Sequence, residues 1–479
     1  MPFAPLTREV AESIVEAEVS KLLARRGLTD NDCFVFVHKG ALRQVVDAAF
    51  EARDGARGVK RFLEREVTSL LTDALASGGR AKLRVFRVYF ADGSYRLLGE
   101  KLEEAENPGQ EPPMARLLSA SVSELAAELP KSLALLDELL AGGALSQLAK
   151  KIAQLTTQAA GAAFEGEASD ALFHTDALRT ELVELHDRLE RMVGRRSDKR
   201  PDGDQAQGQR TPHGRDQRIR VPRGHHDIRS SFSARGAQHE LFELHARVRF
   251  LGEALARLED SSRHRVLIEL SQIGRERRRL EHQGRGGGLL LALTRAFGSG
   301  FGELAEFSAR LSDGRVRYGD KPQVLAELME SSGSKIEHLV LKIVGPLVYD
   351  RFFGETGTHA WTTTAFGSEL VRVVVTRSET DVPCGALIEA HLEQILRFER
   401  ALDEGLVPIP ENPLKLLPMV RRLTYDPPLG SDEPERGPLL VEDYRLGYVE
   451  EISTRSLEDA IRRCLWLGVG TSTQEGEAS

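Results

Sequence analysis

Cysteine is scarce in this 479-residue chain: Cys33, Cys384 and Cys464 are far apart, odd in number and free of CxxC or Cys/His spacing. Neither a disulfide framework nor a zinc site is indicated, and a reducing cytoplasm fits best. Aromatic residues make up only 6%, which disfavours a sandwich or barrel and leaves a helix-rich protein with Leu, Ala, Glu and Arg dominant. No apolar run reaches the length needed to span a bilayer, so no membrane association is expected. The start, Met1 to Thr7, lacks the basic and apolar blocks of a signal peptide. Also missing is any Gly-x-x-x-x-Gly-Lys-Ser/Thr loop able to cradle phosphates, so the chain carries no ATP-hydrolysing site of its own. The net charge of -8 argues against a general nucleic-acid binder.

At this length two to four structural units are expected. Between Arg8 and Arg26, Val10, Ile14, Val15, Val19, Leu22 and Leu23 form an amphipathic stripe, with Thr7 as N-cap and Gly27 as stop. A short strand at Phe34–Val37 follows, then helices at Ala41–Phe50 and Val59–Leu75. Two strands, Leu83–Phe90 and Tyr95–Leu98, flank Asp92-Gly93, a hairpin signal. These elements predict a small α+β domain over residues 1–105.

The same residues resemble the C-terminal small domain of Clp-type AAA+ unfoldases. The likeness rests on Phe3-Ala4-Pro5-Leu6-Thr7-Arg8-Glu9, on the helix end Leu22-Leu23-Ala24-Arg25-Arg26-Gly27-Leu28, and above all on Gly55-Ala56-Arg57 followed by Lys60-Arg61 and a long helix. By this resemblance Arg57, entered through Gly55 and Ala56, senses the phosphates of a nucleotide held by the preceding large domain. A guanidinium at a helix start suits that role, because it offers several donors to phosphate oxygens. Gly58 stands where the family usually has Pro. The resemblance implies ATP as a cofactor only when an AAA+ large domain is supplied elsewhere, and none in isolation. It implies neighbouring subunits of a homo-oligomer and client proteins as partners. Because the chain opens where such a large domain would have just ended, it is expected to be the C-terminal portion of a longer reading frame.

Residues 106–194 and 236–330 read as helical regions. Leu178, Leu182, Leu185, Leu189 and Met192, and then Leu241, Leu244, Val248, Leu251, Leu255 and Leu258, recur at coiled-coil spacing. That spacing fits either a projecting antiparallel arm or an internal helical bundle. Ala134-Leu135-Leu136-Asp137-Glu138 superficially matches the acidic magnesium motif, but helical periodicity runs through it. Residues 195–235, rich in Arg, Gln, Asp, Gly and His, read as a disordered basic linker.

Residues 331–479 read as an α/β domain, with strands at Leu339–Val344 and Leu370–Val375 and a helix over Leu387–Leu402. Phe353-Gly354-Glu355-Thr356-Gly357-Thr358-His359 and the following strand resemble the Gly-Glu-x-Gly-x-His turn of bacterial peptide-chain release factors. Val441 to Gly447 resembles their closing segment. The catalytic Gly-Gly-Gln is absent, and Ala360 replaces the Arg usual after the motif His, so peptidyl-tRNA hydrolysis is not expected. The whole is therefore expected to be an α+β multidomain protein of the Clp-type remodelling class. A ribosome- or RNA-associated factor is the alternative, and an enzyme centred on His359 and Glu355 is a third reading.

Overall fold

The computed structural model describes residues 8–23, 25, 28, 33–49, 56–77, 83–106, 114–118, 120–161, 167–194, 228–257, 264–275, 288–298, 301–363, 367–378, 383–404, 415–425, 439–452 and 456–467. It is mixed α+β, and it divides into two compact units, residues 1–111 with 260–465 and residues 112–259 with 466–479. The segments expected as separate domains at the two ends of the chain thus share one unit.

In the first unit, helix α1 (Arg8–Leu23) is followed by strand β1 (Cys33–Val37) and helix α2 (Lys39–Ala49). Ala11, Val15, Val19, Leu22 and Leu23 face inward, whereas Val10, expected on the stripe, is 44% exposed. Helix α3 (Ala56–Leu63) runs through a π-helical turn, Glu64–Thr68, into α4 (Ser69–Ser77). Sequence periodicity anticipates one unbroken α-helix here, and the π turn has a physical cause. Val59, Leu63, Val67 and Leu71 are all buried, and a four-residue spacing drifts by about 40° per step in a regular α-helix. Underwinding the middle returns the four side chains to one line. Strands β2 (Arg84–Ala91) and β3 (Ser94–Lys101) pair antiparallel, and β1 pairs parallel with β2. Both hairpin-turn residues have positive φ, Asp92 at 51° and Gly93 at 71°, the geometry that favours Asp-Gly.

The rest of this unit is built on a nine-stranded sheet with helices between its strands. Its strands are β4 (Arg265–Arg275), β5 (Glu303–Leu311), β6 (Val316–Gly319), β7 (Ile336–Val344), β8 (Gly357–Thr363), β9 (Gly367–Arg377), β10 (Met419–Tyr425), β11 (Leu439–Asp443) and β12 (Tyr448–Ile452). The order is β12-β11-β10-β8-β9-β4-β7-β5-β6, and only the β10–β8 pairing is parallel. Residues 265–319, expected within a helical region, therefore supply three strands, with β4 next to the centre because Val266, Ile268 and Leu270 alternate inward and are fully buried.

The second unit is helical. Its main helices, α5 (Val122–Ala141), α6 (Ala144–Gly161), α7 (Glu167–Val193) and α8 (Ile228–Ala256), bury most of the residues that suggested a coiled coil, Leu241, Leu244, Val248 and Leu251 among them, while Leu255 is half-buried and Leu258 lies outside the described residues. Leu178, Leu182, Leu185 and Leu189 are buried together with Leu125, Leu129, Leu133 and Leu136 of α5, while Met192 is 44% exposed. Arg247 pairs with Glu181 at 2.8 Å, and Arg188 pairs with Glu240, a crossed order that makes α7 and α8 antiparallel. Helix α8 begins at Ile228, inside the segment expected as a linker; residues 195–227 lie outside the described residues.

Pro130 interrupts the hydrogen-bond ladder of α5 at the Ala126 carbonyl, and His245 of α8 bonds the neighbouring part of the helix. Its Nε2 donates to the Leu125 carbonyl at 2.9 Å, which fixes the tautomer, so Nδ1 accepts from the Ser132 hydroxyl at 2.7 Å. Burial lowers the pKa of this ring, consistent with a neutral imidazole. Replacing His245 by Ala should remove its hydrogen bonds to the Leu125 carbonyl and the Ser132 hydroxyl, at a cost of about 0.5–1.5 kcal/mol for each. Native-state hydrogen exchange across α5 and α8 should rise correspondingly; unchanged protection would contradict this role.

Candidate functional site

Two places in the first unit carry the motifs singled out by sequence. The first is the start of α3. Arg57 is exposed in the helix's first turn, Ala56 opens the helix, and Gly55 lies outside the described residues. Lys60, Arg61 and Glu64 follow at three, four and seven residues, which puts them on the stripe that Arg57 begins. Beside that stripe is a cleft of about 210 Å³ lined by Glu18, Lys21, Leu22 and Arg25 on one side and Lys60, Leu63 and Glu64 on the other. Its carboxylates are engaged: Lys21 Nζ lies 2.6 Å from Glu18, and Arg25 Nη2 lies 2.9 Å from Glu64. Such exposed pairs contribute little stability. Their effect is to leave Arg57 and Lys60, neither paired with a carboxylate among the described residues, as uncompensated positive charge along the α3 wall.

The second place is the Gly-Glu-x-Gly-x-His turn, between β7 and β8. Gly357 adopts φ 154°, and a Cβ there would fall 2.2 Å from Val420 Cγ2 and 2.7 Å from the Pro418 carbonyl. Glycine is needed for this close passage. The turn delivers Glu355 into the interior with no exposed surface, opposite Arg421 of β10, which is equally buried. Arg421 donates to both Glu355 oxygens, at 2.9 and 3.1 Å, and through Nη2 and Nε to Asp443 Oδ2, at 2.8 and 3.2 Å. Arg445 adds a second guanidinium, 2.8 Å from Glu355 and 3.4 Å from Asp443. Asp443 Oδ1 in turn accepts the Leu446 amide at 3.1 Å, fixing the turn after β11. His359 Nε2 donates to the Glu355 backbone carbonyl at 3.0 Å, so the imidazole closes its own turn.

Two carboxylates face two guanidiniums, and the charge closes on itself. Burial alone would raise the Glu355 pKa, but Arg421 and Arg445 outweigh it and hold the group at about 2. Burial pushes His359 down to about 4. Cys464, also fully buried, is pushed up to about 12 by burial, which keeps it a thiol without nucleophilic character. This arrangement clamps β8, β10 and β11 together; its ionised groups face one another and not an open surface. Sequence reading identified Glu355 and His359 but missed Arg421, whose neighbour Arg422 looks the same in sequence.

Outside these two places, His186, Asp187 and Glu190 of α7 form the one group of potential metal ligands among the described residues. His186 Nε2 is engaged with Asp137 Oδ1 at 2.9 Å. No described helix is long and apolar enough to cross a membrane.

The buried turn makes stability depend on pH with a definite sign. His359 is neutral in the fold down to about pH 4, whereas the unfolded chain protonates its imidazole near the ordinary value of 6.5. Its contribution is therefore complete above about pH 6.5 and declines as pH falls to about 4, by roughly 3 kcal/mol. Glu355 adds a contribution that is complete above its ordinary 4.5 and is lost as pH falls toward 2. Urea midpoints measured from pH 7.5 to 4.5 should fall with pH, and His359→Gln should flatten that fall. A His359→Gln profile as steep as that of the unaltered chain would refute the assignment.

Comparison with known proteins bears on the first place more than the second. No curated protein matches this chain. Among solved structures, RF2 of Thermus thermophilus aligns at 14% identity over 70% of this chain and 78% of that one, with a TM-score of 0.17, a likeness that supports no conclusion about fold or activity. Residues 6–88, which hold α1 to α4, the first part of β2 and the Arg57 turn, match the family model of the C-terminal, D2-small domain of ClpB protein.

Proposed function

We propose that this chain is a non-catalytic portion of a Clp-type AAA+ protein-remodelling machine. In this reading residues 8–101 form a lid that packs in the assembly and reports the state of a nucleotide held by a large domain supplied elsewhere. Arg57 contacts the nucleotide phosphates, with Gly55 and Ala56 providing the entry to α3. The reading draws on one observation above the others: the exposed Arg57 and Lys60 lie on a single stripe of α3, within the segment that matches the ClpB small domain. ATP is then a cofactor of the assembly and not of this chain alone, because one guanidinium cannot replace a phosphate-binding loop. Client proteins and neighbouring subunits are the partners of such a machine, and a homo-oligomer in the cytoplasm is its expected form.

The ribosome- or RNA-associated reading draws no support from the release-factor-like turn. Phosphate binding needs outward-facing cations, and His359 and Arg421 are buried and engaged within the fold.

The purified chain should bind no ATP at micromolar concentration by calorimetry. Mixed with a Clp-type large domain bearing an intact phosphate loop, it should raise ATP turnover, and Arg57→Ala should reduce that gain by about 10- to 100-fold, the weight of a charge-assisted contact. Because Arg57 is exposed, the variant should keep its fold. Micromolar affinity of the chain alone, or an undiminished gain with Arg57→Ala, would overturn the proposal.

A further inference from the structure

The three-stranded sheet β1–β3 has two faces. One is covered by α1 to α4, whose apolar residues meet Val35, Phe86, Val88 and Tyr95. The opposite face carries Phe34, Leu83 and Val85, and these do not meet solvent either. They pack into one buried cluster with Leu102 and with Ile273 of β4, Ala360 of β8, Leu370 of β9 and Met419 of β10. Four strands of the large sheet thus contribute to the underside of the small one.

Backbone joins the two as well. Past β3, the Met419 amide donates to the Glu103 carbonyl at 2.6 Å, and the Ala105 amide donates to the Met419 carbonyl at 2.9 Å. Glu104 and Met419 form a parallel bridge. Gly274, in β4, lies under the Phe36 ring so closely that a Cβ would come within 2.4 Å of it. Helix α9 (Cys384–Glu404) packs on β5 and β7 and also on β2 and α2. A hinge needs an interface that slides or opens at little cost, typically a polar one joined by a free linker. None of these contacts has that character: apolar packing, paired backbone and a glycine-tight approach all resist relative motion.

We infer that strands β1 to β3, the 102–105 segment and the nine-stranded sheet move as one rigid body, so that the large sheet is a lever fixed to the Clp-type domain. Any tilt imposed on that domain is delivered undiminished to the far strands β11 and β12. The rigidity stands on the packing alone; only its use as a lever rests on the lid reading of the preceding subsection.

Spin labels separate these two claims. Arg96 of β3 and Val449 of β12 are exposed positions. Cysteines introduced there (Arg96→Cys and Val449→Cys) in a Cys33→Ser background take thiol-directed labels, because Cys384 and Cys464 are buried. Pulsed dipolar spectroscopy on the full chain without nucleotide should give one narrow distance distribution. Gly274→Leu should broaden it at least twofold, while a control pair labelled at Tyr318→Cys and Val449→Cys, both in the large sheet, stays narrow and reports that this sheet remains folded. A broad or two-peaked distribution in the Cys33→Ser protein would overturn the inference, as would a Gly274→Leu distribution as narrow as its parent. If Gly274→Leu broadens the control pair too, the Cys33→Ser distribution decides alone. Failure of the ATP experiment above would leave a narrow distribution untouched, so the two proposals fail separately.

Discussion

Arg421 has no surface in contact with solvent, and a guanidinium so placed is tolerable only when its donors are met by negative charge. Glu355 arrives from the turn before β8 and Asp443 from the end of β11, and between them they take Nη1, Nη2 and Nε. Much of the first unit follows from that requirement. The glycine at 357 exists to let the turn pass Val420, the His359 ring closes the same turn, and β10 is held in the sheet by charge on both sides. Two residues earlier on β10 is Met419, whose backbone pairs with residues 103–105 and whose side chain enters the cluster beneath the small sheet. The clamp and the junction are therefore consecutive on one strand.

This arrangement gives the two recognisable motifs different fates. The Arg57 turn points its charge outward, next to a cleft whose carboxylates are already paired, as a contact to an external anion requires. The Glu355–His359 turn points its charge inward and spends it on three strands. Similar residue types thus stand exposed in one place and build architecture in the other, and exposure separates them where composition does not. The helical unit repeats the inward use on a smaller scale, with His245 meeting a carbonyl near the Pro130 break.

Local signals carried the small domain well. Asp92-Gly93 announced its hairpin because few residue pairs accept two successive positive φ angles, and the stripes of α1 and α3 could be read from spacing. The π turn was not legible, since a four-residue repeat looks like an ordinary helix until the partner surface is known. Strand β4 was overlooked because its short apolar run sits between coiled-coil spacing and an arginine-rich stretch, and its neighbours β7 and β9 lie far along the chain. Arg421 was hidden for a related reason: Glu355 and Asp443 are 66 and 22 residues away, and nothing nearby distinguishes it from Arg422. Pairings at that range are set by sheet topology, which periodicity does not encode.

On this view the clamp on β10 also secures the small domain that carries β1 to β3. Arg421→Met is the direct probe, because it removes the charge, keeps an unbranched side chain and leaves Glu355 buried without its main partner, a loss of about 3–5 kcal/mol. Hydrogen exchange measured by mass spectrometry should then show lost protection in β8 and β10 together with β2 and the 102–105 segment. Lost protection confined to β8, β10 and β11, with β2 as slow as before, would contradict the account and leave the clamp a local feature of the large sheet.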